Sequence, residues 1–152
     1  MLIKDCCKIV SEKISTDGLN LQTYISTENM LNGFSGVFTA TSLPKTKVTG
    51  FCMSDILISN IRPYFKKTWF ADFDGGCSTD VINLRVNSPN FLPKFIYYNL
   101  TSDRFVDEFV ASCKGTKMPR GDKDVLLNYK INPLSLATQQ HIVNLMVNLR
   151  FS

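Results

Sequence analysis

Histidine occurs once in this sequence, at 141, and the five cysteines, at 6, 7, 52, 77 and 113, include no Cys-x-x-Cys pair. No zinc spacing can be assembled from such a set. Thiols scattered in odd number are expected to be reduced and structural, in a cytoplasmic protein. The lone His141 falls in the last helical segment, so a histidine-based triad has no evident serine or cysteine partner. Also missing are Gly-x-Gly-x-x-Gly, the Gly-x-x-x-x-Gly-Lys-Ser/Thr phosphate loop and the Gly-x-Ser-x-Gly elbow. Asn132-Pro133-Leu134 lacks the second proline and the aromatic residue of an adenine-methyltransferase motif. The acidic pairs Asp72/Asp74 and Asp103/Asp107 lie in turn-like and helical sequence, which accounts for them without acid–base work. No apolar run approaches the ~18 residues of a membrane helix, and no charged segment followed by an apolar one opens the chain. The expected protein has no catalytic residues, no cofactor, no metal and no membrane partner.

What is present suits one folded domain. A chain of 152 residues with 44% apolar and 20% charged residues can bury a substantial core. Its net charge of +4 and pI near 8.8 allow a polyanionic partner without demanding one.

Residues 1–13 read as a short helical turn or irregular lead-in, and Asp17-Gly18 as a turn. Tyr24-Ile25-Ser26-Thr27 has the β-branched and aromatic character of a strand or edge strand. Residues 32–47, rich in Gly, Ser and Thr, read as a loop in which Lys45 and Lys47 face solvent. Strands are predicted over 55–59, 68–72 and 81–86, with a tight turn at Asp74-Gly75-Gly76. Beyond Pro89 the period lengthens: Phe91, Phe95, Tyr98, Phe105, Phe109 and Val110 recur at three- to four-residue intervals. Two helices, 92–100 and 102–112, follow from that spacing, with Thr101 or Ser102 as cap and the aromatic stripe as core. Residues 122–127 can open a short helix, and 129–131 a brief strand. The final apolar face, Ile142, Val143, Leu145, Met146 and Leu149, predicts a helix over 139–149, too short for a coiled coil of three or four heptads.

Two basic clusters remain: Arg62, Lys66 and Lys67, and then Lys114, Lys117, Arg120 and Lys123. Pro63 fixes its own φ and disfavours a helical Arg62, so the first cluster is expected to be extended between two sheet strands. Gly115 and Gly121 in the second permit close approach of backbone to phosphate. Folded onto one face, these cations would meet a polyanion; five phosphate contacts would give a salt slope of about −4.5. Lys66, Lys67, Lys114, Lys117, Arg120 and Lys123 are the phosphate candidates. Asn60, Arg62 and Tyr64 are the base-reading candidates, with Arg62 suited to guanine and Asn60 to adenine.

Four stretches, in this order, resemble the DNA specificity subunits of type I restriction-modification systems. They are Tyr24-Ile-Ser-Thr-Glu-Asn-Met30, Asp55-Ile-Leu-Ile-Ser-Asn-Ile-Arg-Pro-Tyr-Phe-Lys-Lys67, Lys114-Gly-Thr-Lys-Met-Pro-Arg-Gly-Asp-Lys123 and Ile131-Asn-Pro-Leu with Gln139-Gln140. The middle two carry most of the specificity of the match. The resemblance implies an α+β fold: a mixed, curved β-sheet core with helices packed against it and a short C-terminal helix. It implies one DNA target recognition domain over 1–136, and over 137–152 the start of a truncated conserved spacer helix that could mediate self-association. It further implies a noncatalytic subunit that reads one half of a split target in double-stranded DNA. Its partners would be DNA adenine methyltransferase subunits and a restriction subunit. The competing reading is a truncated decoy that binds methyltransferase partners with little DNA affinity of its own.

Overall fold

Ile56-Leu57-Ile58-Ser59 is apolar without alternation because both of its faces are covered. In the computed structural model, which describes residues 1–151, these four residues form a strand that is buried throughout. Side chains of a strand point alternately to opposite faces. Ile56 and Ile58 accordingly enter a core shared with the helices, while Leu57 enters a second core on the other side with Phe51, Trp69 and Val81.

The strands are β1 (Cys7–Ile9), β2 (Lys13–Ile14), β3 (Tyr24–Ile25), β4 (Val48–Phe51), β5 (Ile56–Ser59), β6 (Thr68–Phe70), β7 (Gly75–Cys77) and β8 (Val81–Val86). The helices are α1 (Ile3–Cys6), α2 (Pro93–Leu100), α3 (Asp103–Ala111), α4 (Lys123–Leu127) and α5 (Leu136–Phe151). The α+β architecture expected from the resemblance is present, with its strands divided between two sheets. One sheet, ordered β1-β8-β5-β6, is antiparallel throughout. The other, ordered β2-β4-β7-β3, is mixed, since β3 runs parallel to β7. Asn83 of β8 ties them together, its Nδ2 donating to the Gly50 carbonyl of β4 at 3.0 Å.

An ion pair braces the β5–β8 pairing of the first sheet. Asp55, 1% exposed, accepts from Arg85 Nε at 2.8 Å and Nη2 at 2.7 Å, and also from the Cys52 N–H at 2.9 Å. The hydrogen bonds it donates to Asp55 raise the pKa of the Arg85 guanidinium further above its ordinary value.

Two expectations require correction. Asp74-Gly75-Gly76 is no hairpin turn: Gly75 and Gly76 are strand residues of β7, and neither has positive φ. Glycine is needed there for close approach. A Cβ on Gly75 would strike the Thr23 carbonyl oxygen and the Phe51 ring, and one on Gly76 would lie 2.6 Å from Val48 Cγ2. The last helix is also longer than its apolar face suggests, beginning at Leu136 instead of Gln139.

The aromatic stripe packs as expected. Phe91, Phe95, Phe105 and Phe109 are all buried, with Phe105 5.4 Å from Phe109 and 5.0 Å from Tyr129 between ring centroids. Ser102 caps α3, its hydroxyl accepting from the Phe105 N–H at 3.3 Å. α5 lies beside α2 and runs the same way. At its start Gln139, 0% exposed, accepts from the Leu92 N–H at 2.8 Å and donates to the Asn90 and Leu134 carbonyls at 2.8 and 2.9 Å. Near its end Arg150 donates to Thr101 Oγ1 at 2.8 Å, with its guanidinium 5.1 Å from the Tyr98 ring centroid. The first residues close onto the same region: the Ile131 N–H donates to the Met1 carbonyl at 2.8 Å, and Leu2 pairs with Lys130. Met1 and Leu136 line one cavity there.

Candidate nucleic-acid interface

After β5 the chain turns instead of continuing extended. Arg62 is left-handed, at φ 48° and ψ 59°, a 3₁₀ turn follows over Pro63–Phe65, and Lys66 is left-handed again at φ 56°. Pro63 does keep Arg62 out of the right-handed helical region, but the backbone takes the left-handed alternative, not the extended one. For residues other than glycine this conformation costs about 1 kcal/mol or more each, and it persists where the surroundings hold it. Here they do. Arg62 N–H donates to the Pro119 carbonyl at 2.8 Å, and Gly33 and Phe34 N–H groups donate to the Phe65 and Lys66 carbonyls at 3.0 and 2.7 Å.

The second basic segment forms a small closed loop. Lys114 and Arg120 exchange backbone hydrogen bonds at 3.0 Å in each direction, and Gly115, at φ 98°, makes the bend that L side chains disfavour. Arg120 pairs in turn with Ile61, and the Gly121 N–H donates to the Asn60 carbonyl at 3.2 Å. The two basic segments, ~50 residues apart in sequence, are thus stitched side by side by backbone bonds. Arg62 adds a side-chain bond across the seam, Nη2 donating to the Lys117 carbonyl at 3.0 Å. A cleft of about 230 Å³ separates the loops, lined by Arg62, Phe65, Lys67, Met118 and Glu28 among others.

Gly121 holds this seam against the core. A Cβ there would lie 2.6 and 2.7 Å from two atoms of the buried Phe109 ring and would press on a third. Gly121→Ala should therefore cost about 2 kcal/mol through overpacking. That loss is readable as a lowered urea midpoint.

The candidate side chains divide by surroundings. Arg62, Lys114, Lys117 and Lys123 are exposed and Lys66 is partly so. None of these five is in an ion pair; among the described residues the pairs are Arg85–Asp55, Arg104–Glu108 and Arg120–Asp80. Lys67 is turned onto the fold, its Nζ donating to the Thr27 carbonyl at 2.7 Å. Arg120 is held by Asp80, Nη1 to Oδ1, at 2.6 Å. Tyr64 is 46% exposed and lies edge-on to Phe65, itself 40% exposed. Asn60 corrects its assignment as a reader of adenine: it is 8% exposed, and its Oδ1 is buried without a hydrogen-bond partner. An amide in that position does not reach a base edge. Asp80 was not marked by any local sequence signal, because its partner lies 40 residues away.

Among the described residues no three His, Cys, Asp or Glu side chains group to hold a metal ion, and no helix is long and apolar enough to cross a membrane. Burial pushes the Cys77 thiol up to about 12, and the Cys7 thiol higher still, so neither supplies a thiolate. His141 is exposed on α5.

No family model and no curated protein matches the chain. Solved structures do. The crystal structure of the HsdS subunit from Thermoanaerobacter tengcongensis superimposes with a TM-score of 0.75 at 19% identity, over 99% of this chain and 42% of that one. A structure of a type I restriction-modification system assembly gives 0.68 at 15% identity, over 99% and 37%. The S subunit of the type I restriction-modification system from M. genitalium gives 0.66 at 16% identity, over 97% and 37%. The chain spans about two fifths of the length of these structures, and at such identities the shared feature is the fold.

Proposed function

We propose that this chain is a DNA target recognition domain of the type I restriction-modification kind, noncatalytic, reading one half of a split sequence in double-stranded DNA. The observation that carries the reading is the backbone stitching of residues 59–67 to 114–121, which brings the two cation-bearing segments together in a fold shared with specificity subunits. Lys66, Lys114, Lys117 and Lys123 would contact phosphates and set register. Lys67, already donated to a carbonyl, adds charge without free reach. Arg62 is oriented by the Lys117 carbonyl and keeps donors for a guanine edge, with Tyr64 beside it. Residues 1–136 would form the recognition body and 137–152 a spacer helix, whose exposed Leu145 suits self-association or docking. Methyltransferase and restriction subunits would be guided to the site from the cytoplasm.

Selection from random duplexes, with the protein alone and with adenine methyltransferase subunits, tests the reading. Enrichment of one short sequence is expected. Lys66→Ala and Lys117→Ala should weaken binding to all duplexes alike, each lowering the salt slope by about 1. Arg62→Ala should relax one base position by about 1–3 kcal/mol. Failure to enrich any sequence under either condition would end the proposal.

A further inference from the structure

Arg120 looks from the sequence like one more phosphate-binding cation, but its charge is already matched. Asp80 Oδ1 accepts from Arg120 Nη1 at 2.6 Å, with the two side chains 50% and 35% exposed for arginine and aspartate respectively. A paired cation releases few counterions on meeting DNA and so adds little salt-dependent affinity. Nor is the pair needed to hold its own backbone. Asn60 N–H donates to the Asp80 carbonyl at 2.9 Å, and Arg120 is bonded to Lys114 and paired with Ile61 through the main chain. Both ends of the ion pair are therefore fixed independently, and an exposed pair adds little stability.

What the pair does accomplish is orientation. A guanidinium carries five N–H donors in a rigid plane. With Nη1 anchored to Asp80, that plane is set and its Nε–Nη2 edge remains able to donate two parallel hydrogen bonds. Two parallel donors match the O6 and N7 acceptors of guanine in the major groove. Arg120 also lies directly beside the segment that carries Arg62. We infer that Arg120 reads a guanine and that Asp80 is its positioning residue, contributing to base choice while opposing overall affinity. The inference rests on the DNA-recognition reading above and extends it to a residue pair.

The two effects of Asp80 have opposite signs, which a structural role would not produce. Asp80→Ala removes a negative charge from a DNA-facing surface and frees Arg120. It should bind bulk duplex several-fold more tightly at low salt, with a slope steeper by about 0.9. Its preference at one G·C pair of the selected sequence should fall about tenfold. Asp80→Asn loses the same charge but keeps an acceptor for Nη1, so it should gain the affinity and retain most of the preference. Arg120→Ala should lose preference at that same base pair, and adding Asp80→Ala to it should relax nothing further.

Duplex selection and anisotropy titrations on the four variants and the parent supply these readouts. Asp80→Ala with its base preference intact overturns the inference, as does equal loss of preference in Asp80→Ala and Asp80→Asn. A parent protein that selects no sequence would instead overturn the recognition reading, and the inference with it.

Discussion

Raising salt from 50 to 200 mM should weaken duplex binding about 150-fold, a fourfold concentration change acting through a slope of about −3.6. The slope follows from four cations, Lys66, Lys114, Lys117 and Lys123, none of which is in an ion pair. Each neutralised phosphate releases condensed counterions, and the cost of their release rises with salt concentration. Arg62, Lys67 and Arg120 are left out of the sum because the first two are bonded to carbonyls and the third to a carboxylate. Were all three also to act as free phosphate contacts, the slope would approach about −6.3. Fluorescence anisotropy on a duplex at several salt concentrations distinguishes these values. A flat dependence would mean that the stitched basic surface does not meet DNA.

The largest effect on stability is expected at Asp55. Replacing it by alanine leaves the Arg85 guanidinium without its two-point partner and orphans the Cys52 N–H. Losing one member of a buried pair costs about 3–5 kcal/mol. The Arg85 side chain is 31% exposed and recovers part of its hydration, which brings the expected loss to about 2–3 kcal/mol. For a chain of this length that corresponds to a fall in Tm of about 4–12 °C. Replacing both residues by apolar side chains of similar volume should be less damaging than Asp55→Ala alone, since no charge is then left uncompensated. Urea unfolding of the single and double variants gives both numbers. Equal stability of Asp55→Ala and the parent would show that the pair contributes nothing.

The elements that the sequence disclosed share one property: their signal is local. Phe105 and Phe109 repeat at helical spacing, Ser102 sits where a cap belongs, and Ile56 to Ile58 form a β-branched run bounded by polar residues. The order of the four motifs also carried real information, since it linked the segments around Arg62 and Arg120 that the fold brings into contact. What stayed hidden depends on distant partners. Gly75-Gly76 reads as a turn because nothing nearby reveals that Thr23, Phe51 and Val48 crowd their Cα atoms. β4 is blurred by Gly50, whose missing side chain makes room for Ile14; a Cβ there would lie 2.9 Å from Ile14 Cγ2. Asn60 resembles a surface amide between Ser59 and Ile61 until the loop of residues 114–121 covers it. The left-handed turns at Arg62 and Lys66 are likewise imposed by carbonyl and N–H groups from elsewhere in the chain.

The hydrogen bond between Met1 and Ile131, with Leu136 opening the last helix close by, closes the stretch from residue 1 to residue 136 at one neck. A body gathered in that manner is modular. Another of the same girth could be grafted at the neck as one piece, so on the proposed recognition reading a changed appetite for sequence need not wait on piecemeal surface mutation.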